Sequence, residues 1–243
     1  MKSQQSYQVF LDREQLVRAA AQRWMELANE SIRARNSFHV ALAGGATPKP
    51  VYERLQRENL DWDRIHLYWG DERDVPADHP DSNYRMVREA LIDHVPIPEA
   101  NVHPIHVLPD IETTVEEYRQ VLDNLHRGTN GHPCFDLIML GVGDDGHIVS
   151  LFPESSALTV TNTPVVSVYV EKLNSWRVTL TYPVLNTARY LMLLVSGEAK
   201  APVIARVLGS DTERRYPVQK LAPSGRIEWY LDEAAAHELQ ESS

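Results

Sequence analysis

Short apolar runs alternate with amphipathic stretches along most of this chain, and no other feature restricts its fold as tightly. Residues 38–43, 65–69, 135–140, 165–170, 177–180, 190–195 and 227–231 read as strands, several of them apolar almost throughout. Strands buried on both faces lose the in/out alternation of a half-exposed sheet, and that pattern belongs to mainly parallel sheets covered by helices. The helices between them are legible too. Leu16, Ala20, Trp24 and Leu27 share one face of a first helix, and a second runs to Leu55 with Thr47 as its expected N-cap and Pro48 in its first turn. A third starts near Ser82, reaches Leu91 and is closed off by Pro96 and Pro98. Thr113-Thr114-Val115-Glu116 reads as a capping box before an apolar face of Val115, Tyr118, Leu122 and Leu125. A helix reaching Leu208 and another from Asp232 complete the series. There is no internal repeat and no Gly/Ser-rich linker, so the expectation is one α/β domain over residues 1–243: a mainly parallel, Rossmann-like sheet with helices on both faces.

Charge narrows the partners. With 34 acidic and 24 basic side chains among 243 residues, the net charge of -10 disfavours nucleic acid and anionic membrane surfaces. The single cysteine, Cys134, has no internal disulfide partner and reads as a packed apolar residue in a reducing compartment. Residues 1–10 lack a signal-peptide pattern, and an apolar run such as 191–195 is far too short to span a bilayer. The expected setting is cytoplasmic, as a monomer or small homo-oligomer.

In a parallel sheet, the loops leaving strand C-termini gather at one edge, where α/β proteins bind ligands. Four such loops here, at 44–48, 70–73, 141–147 and 196–200, carry Gly, Asp, Arg, His and Lys. Gly141, Gly143 and Gly146 have the G-x-G-x-x-G spacing, but Asp144 and Asp145 would repel a pyrophosphate and no acidic residue follows at the distance a ribose needs. Gly44-Gly45-Ala46-Thr47 is either an anion cradle or a tight strand-to-helix turn. Of the ten histidines, His147 alone has a telling setting, directly after a glycine-rich acidic loop that can orient an imidazole. His103 and His106 flank Pro104 and lack a third ligand, so no metal site is expected there. Magnesium between Asp71-Glu72 and Asp144-Asp145 is the minority reading.

Several separated motifs occur in one order: Ala43-Gly44-Gly45-Ala46-Thr47-Pro48; Asp71-Glu72-Arg73-Asp74-Val75-Pro76 with Asp81-Ser82-Asn83-Tyr84; Gly141-Val142-Gly143-Asp144-Asp145-Gly146-His147 with Ser150-Leu151-Phe152-Pro153; the run Arg177 to Asn186; Ser196 to Lys200; and Trp229 to Ala235. Together they closely resemble the 6-phosphogluconolactonases over nearly the whole chain. The resemblance implies hydrolysis of 6-phospho-D-glucono-1,5-lactone, a sugar-phosphate lactone, without a cofactor. It implies His147 as general base and Asp145 as the group orienting it, with amides around Gly143 to Gly146 facing the carbonyl oxygen. It also implies Arg73 as the foremost phosphate contact, with Lys172, Arg177, Lys200 and the amides of Gly44 and Gly45 as further candidate anion contacts and Thr47 and Asp71 in the same substrate- and phosphate-binding set. Without a ligand, Arg177 would read as a buried ion pair and Lys172 as a solvated charge.

The chain departs from the family pattern twice. The usual Gly-His-Thr-Ala is Gly146-His147-Ile148-Val149, which removes a hydroxyl expected to reach substrate, and the usual Pro-Lys-Pro-Pro is Glu171-Lys172-Leu173-Asn174. Gly-His-Ile is the wording of the related glucosamine-6-phosphate deaminases. However, Phe152 stands where those enzymes carry a catalytic glutamate, and Asp71-Glu72-Arg73 replaces their Asp-Glu-Tyr. A non-catalytic sugar-phosphate sensor is a third reading, opposed by the presence of both His147 and Asp145.

Overall fold

Five of the seven apolar runs, at 38–43, 65–69, 135–140, 190–195 and 227–231, assemble into a sheet whose seven strands are all parallel and which is completed by residues 4–10 and 102–103, whereas the runs at 165–170 and 177–180 pair antiparallel elsewhere. The computed structural model describes residues 4–209 and 216–240. In chain order the elements are β1 (Gln4–Phe10), α1 (Arg13–Arg35), β2 (Phe38–Leu42), α2 (Lys49–Leu55), β3 (Ile65–Trp69), β4 (Asp71–Arg73), α3 (Asn83–Ala90), β5 (Val102–His103), α4 (Ile111–Leu122), β6 (Leu137–Gly141), β7 (Val165–Val170), β8 (Ser175–Leu180), α5 (Tyr182–Leu185), β9 (Tyr190–Val195), α6 (Ala201–Leu208), β10 (Arg226–Asp232) and α7 (Glu233–Gln240). The main sheet has the order β1-β10-β9-β6-β2-β3-β5 and is flanked by helices. Strands β4, β8 and β7 form a second, antiparallel sheet.

The longest helix, α1, shows how sequence sets an element. Asp12 accepts the Gln15 amide at 2.8 Å to cap its start, and Asn36, in the left-handed region at φ 68°, ends it. Its buried face delivers Trp24 edge-on to Phe38 of β2, with ring centroids 5.0 Å apart. Two buried tyrosines fix the strand ends that lead into the carboxyl-edge loops. The Tyr52 hydroxyl accepts from the Ala43 N–H and donates to the Ala43 carbonyl, at 3.0 and 2.8 Å. Tyr118 does the same for Trp69, at 2.9 and 2.8 Å. Each phenol thus satisfies both polar groups of a buried residue at the point where pairing ends.

Several local expectations change. Residues 4–10, read as a polar lead-in, form the edge strand β1. Residues 71–73, read as loop, form β4, too short for a periodic signal but paired with β8. Pro48, with no side-chain cap bond, replaces Thr47 as the N-cap of α2. The expected capping box at Thr113 fails because Asp110, three residues upstream, accepts the Thr113 amide at 2.9 Å and starts α4 earlier. Glu116 pairs with Arg119 instead. Residues 135–136 precede β6, where the buried Asp136 carboxylate accepts from the His39 amide and pairs with Arg35 and Arg189. Among the described residues, no helix is long and apolar enough to cross a membrane.

The histidines other than His147 are not all ordinary. His39 and His66 are register partners on β2 and β3, and their rings stack at 4.6 Å. His66 stacks on His103 at 5.6 Å, and His103 on Tyr68 at 4.4 Å. Burial, reinforced by the neighbouring imidazoles, lowers His39 and His103 to about 4, and burial lowers His66 as well. The unfolded chain therefore binds more protons than the native one between the ordinary histidine pKa and about 4, so stability falls as pH drops through that window. Denaturant unfolding at stepped pH will show this acid limb, and His39→Phe, which keeps a ring in the stack but no titrating nitrogen, will make it shallower.

Candidate active site

All four carboxyl-edge loops open onto one cleft of about 560 Å³. Its lining includes Gly44, Gly45, Thr47, Asp71, Arg73, His147, Lys172, Arg177 and Lys200, so nine of the ten residues singled out from sequence converge there. The tenth, Asp145, lines an adjoining cavity of about 940 Å³ and reaches the cleft through its partners.

Asp145 Oδ1 lies 2.6 Å from His147 Nδ1 and accepts the His147 backbone N–H at 3.2 Å, while Oδ2 pairs with Lys172. Burial opposes ionisation of Asp145, but the hydrogen bonds from Lys172 and His147 outweigh it and hold the carboxyl at about 2. The imidazole packs on Phe152 at 4.1 Å, and Lys172 Nζ sits over the same ring at 4.5 Å. Gly143 makes the arrangement possible. A Cβ there would lie 2.0 Å from His147 Nδ1 and 2.8 Å from Asp145 Oδ1, inside both side chains. The amides of Gly143 and Gly146 are already bonded, to the carbonyls of His147 and Gly143 at 2.9 Å each. Neither is free for a carbonyl oxygen, so of the amides expected to face it only those of Asp144 and Asp145 have no hydrogen-bond partner among the described residues.

After His147 the chain makes a tight turn, closed by Leu151 N–H to Ile148 O at 2.9 Å, with Val149 at φ 45°. A β-branched residue in the left-handed region costs about 1–3 kcal/mol. The turn sends Ile148 fully into the core, so this departure from the family pattern does not face substrate. It also brings the Ser150 hydroxyl to Asp71 Oδ2 at 2.6 Å. Ser150, Asn83 and Val149 line the cleft without having been singled out. Ser150 and Asn83 lie inside the ordered motifs, but nothing in their spacing distinguishes them from neighbours.

The four cations differ in state. Lys172 pairs with Asp145 and Lys200 with Asp144. Arg73 and Arg177 are register partners across β4 and β8, and each has a buried Nε with no hydrogen-bond partner among the described residues. Arg73 Nη1 donates to the Asp81 carbonyl. Burial and the adjacent Arg73 charge lower the pKa of Arg177, outweighing the opposite pull of Asp71, Glu72 and Asp81. The ion pair first expected of Arg177 is therefore not its condition. Opposite them, the amides of Gly44, Gly45 and Ala46 have no hydrogen-bond partner among the described residues. Two neighbouring arginines and a row of amides thus line one cleft, a donor set of the kind that suits an anion. No group of three or more His, Cys, Asp or Glu among the described residues could hold a metal ion.

A histidine–aspartate pair beside such a donor set, at the carboxyl edge of a parallel sheet, defines a class of sugar-phosphate enzyme folds, and comparison places the chain within it. Residues 11–229 match the family described as glucosamine-6-phosphate isomerases/6-phosphogluconolactonase, and the chain belongs to that family. A 6-phosphogluconolactonase of Synechocystis sp. is 42% identical over 214 residues, covering 87% of this chain and 88% of the relative. That of Mycobacterium tuberculosis is 34% identical, covering 96% and 98%. The structure of 6-phosphogluconolactonase from Trypanosoma brucei superposes with a TM-score of 0.88 at 30% identity, covering 98% of this chain and 99% of that one. A monomeric glucosamine-6-phosphate deaminase, 22% identical with a TM-score of 0.78, shares the fold.

Because Arg177 is a half-buried charge beside a like charge and in no ion pair, Arg177→Met will leave thermal stability in anion-free buffer unchanged or raised. The same variant will weaken inorganic phosphate binding roughly tenfold or more by calorimetry.

Proposed function

We propose that the protein hydrolyses 6-phospho-D-glucono-1,5-lactone to 6-phosphogluconate, a step of the oxidative pentose phosphate pathway. The observation that carries this reading is the 2.6 Å contact between Asp145 and His147 in the cleft that also holds the unpaired arginines. Ionised Asp145 accepts a hydrogen bond from Nδ1–H, which fixes the tautomer and leaves the Nε2 lone pair of His147 as the base. Water attacks the lactone carbonyl carbon as Nε2 removes its proton, and the carbonyl becomes an oxyanion. Collapse of that intermediate breaks the bond to the ring oxygen, which takes the proton back from the imidazolium. The resulting carboxylic acid ionises. A lactone is an activated ester, so no protein nucleophile or redox cofactor enters the balance.

The phosphate is assigned to Arg73 and Arg177 with the amides of Gly44 and Gly45, because neither arginine is in an ion pair and neither amide has a partner among the described residues, while Lys172 and Lys200 are neutralised by aspartates. Bidentate guanidinium binding fixes the ester end and so the distance to the lactone carbon. Thr47 and Asp71 face the same cleft as contacts for phosphate or sugar hydroxyl oxygens. The family's other activity, amino-sugar isomerisation with loss of ammonia, is disfavoured by Phe152. An apolar ring packs against His147 where that chemistry requires a carboxylate. A small phosphorylated ligand and an acidic surface fit a protein acting in the cytoplasm without a nucleic-acid partner.

The test is to follow freshly generated lactone against its spontaneous decay, with ammonia release from glucosamine 6-phosphate measured in parallel. Acceleration of lactone loss without ammonia is expected, and ammonia release alone would contradict the proposal. His147→Ala will lower kcat about 10²–10⁴-fold while the chain remains folded. Asp145→Asn, which keeps the shape but not the charge that selects the tautomer, will lower kcat with KM changed little.

A further inference from the structure

The phosphate end of the cleft is assembled from two segments that do not touch in sequence, the β4 strand carrying Arg73 and the loop carrying Gly44 and Gly45. Both are held by the same buried carboxylate. Strand alternation points Asp71 and Arg73 toward the cleft and turns Glu72 the other way, into the protein, where it is only 2% exposed. There its oxygens accept three backbone N–H groups, from Arg73, Asn83 and Tyr84, each at 2.8 Å, and the Ser82 hydroxyl at 3.2 Å. Two of those amides open α3, where an anion is electrostatically favoured.

The same bonds transmit position to the cleft. By holding the Arg73 amide, Glu72 sets the backbone from which that guanidinium projects. By holding the Asn83 amide, it seats an Asn83 side chain that donates to the Asp71 carbonyl at 3.0 Å and to Asp71 Oδ1 at 3.3 Å. That side chain also lies flush against Gly44. A Cβ on Gly44 would be 1.7 Å from Asn83 Oδ1, so the glycine loop rests directly on this amide. Burial raises the pKa of Glu72 against the pull of its three amide donors, so a carboxylate is kept here at an electrostatic cost that a neutral side chain would avoid.

We propose that Glu72 is the positioning residue of the phosphate site, locking Arg73 and the Gly44–Gly45 loop into one receptor while touching no substrate atom. This rests on the phosphorylated-lactone reading above. A glutamine in its place keeps the volume but offers an NH2 to amides that need an acceptor, so the two segments lose their common anchor while His147 and Asp145 keep theirs.

The measurement is a comparison of steady-state kinetics in wild type, Glu72→Gln and Val87→Ala. Val87 is buried on α3 away from the cleft, so its variant loosens the same helix without breaking the anchor. Glu72→Gln is expected to raise KM roughly tenfold or more with kcat within about threefold, and Val87→Ala to leave KM unchanged despite a comparable fall in Tm. An unchanged KM in Glu72→Gln overturns the proposal, and so does an equal rise in both variants, which would make Glu72 merely structural. If the glutamine variant does not fold, Glu72→Asp, which keeps the charge on a shorter arm, must raise KM above the wild-type and Val87→Ala values with kcat retained, and an unchanged KM there overturns the proposal. Inorganic phosphate affinity on the same proteins separates the two readings. Loss of phosphate binding in Glu72→Gln supports the anchor even if the wild type fails to accelerate lactone decay, a failure that would overturn only the substrate assignment.

Discussion

One residue is bonded to both sheets, and the cleft depends on it. The Gly70 N–H donates to Leu42 O at the end of β2, while the Gly70 carbonyl accepts from Leu180 N–H at the end of β8, at 3.0 and 2.9 Å. The parallel sheet and the antiparallel sheet are therefore hydrogen-bonded through a single residue, immediately before the strand that carries Asp71 and Arg73. Because β4 leaves this junction paired with β8, Arg73 and Arg177 are forced into register. The antiparallel sheet becomes a wall standing on the carboxyl edge, and the space between wall and edge is the cleft.

That wall resolves the conflict between an acidic protein and an anionic ligand. A net charge of -10 describes a surface, whereas the cleft concentrates four cations from three segments. They are not equivalent. The two lysines are neutralised by the aspartates of the 141–147 loop, so they add little net attraction in the empty site. The two arginines sit side by side with buried nitrogens unsatisfied, an arrangement that lowers stability unless something anionic joins them.

Much of this was legible in the sequence, for identifiable reasons. Apolar runs of five or six residues gave the main strands, and the helices with capping or periodic faces followed. Ordered motifs then placed nine of the ten site residues on one cleft. What was missed depends on distance in sequence or on subtle competition. Strand β4 has three residues and exists only because β8 pairs with it. The cap of α4 moved to Asp110 because that upstream carboxylate accepts the amide of Thr113 itself and so takes Thr113 into the first turn. Ile148 read as a substrate-facing change, but the left-handed turn at Val149 rotates it into the core. His39, His66 and His103 lie far apart in sequence, and only the register of β2, β3 and β5 stacks them. Glu72 was visible as a motif letter, yet its role follows from alternation along a strand that was not anticipated.

The central claim is that the unpaired arginines and glycine amides select a phosphorylated ester and deliver it to His147. It is tested most directly by the ratio of kcat/KM for 6-phosphogluconolactone to that for glucono-1,5-lactone, which has the same reacting ester and no phosphate. A charge-assisted bidentate site predicts a preference of about 10²-fold or more, collapsing toward unity when Arg73 and Arg177 are both replaced by methionine. Equal kcat/KM for the two lactones in the wild type would contradict the account.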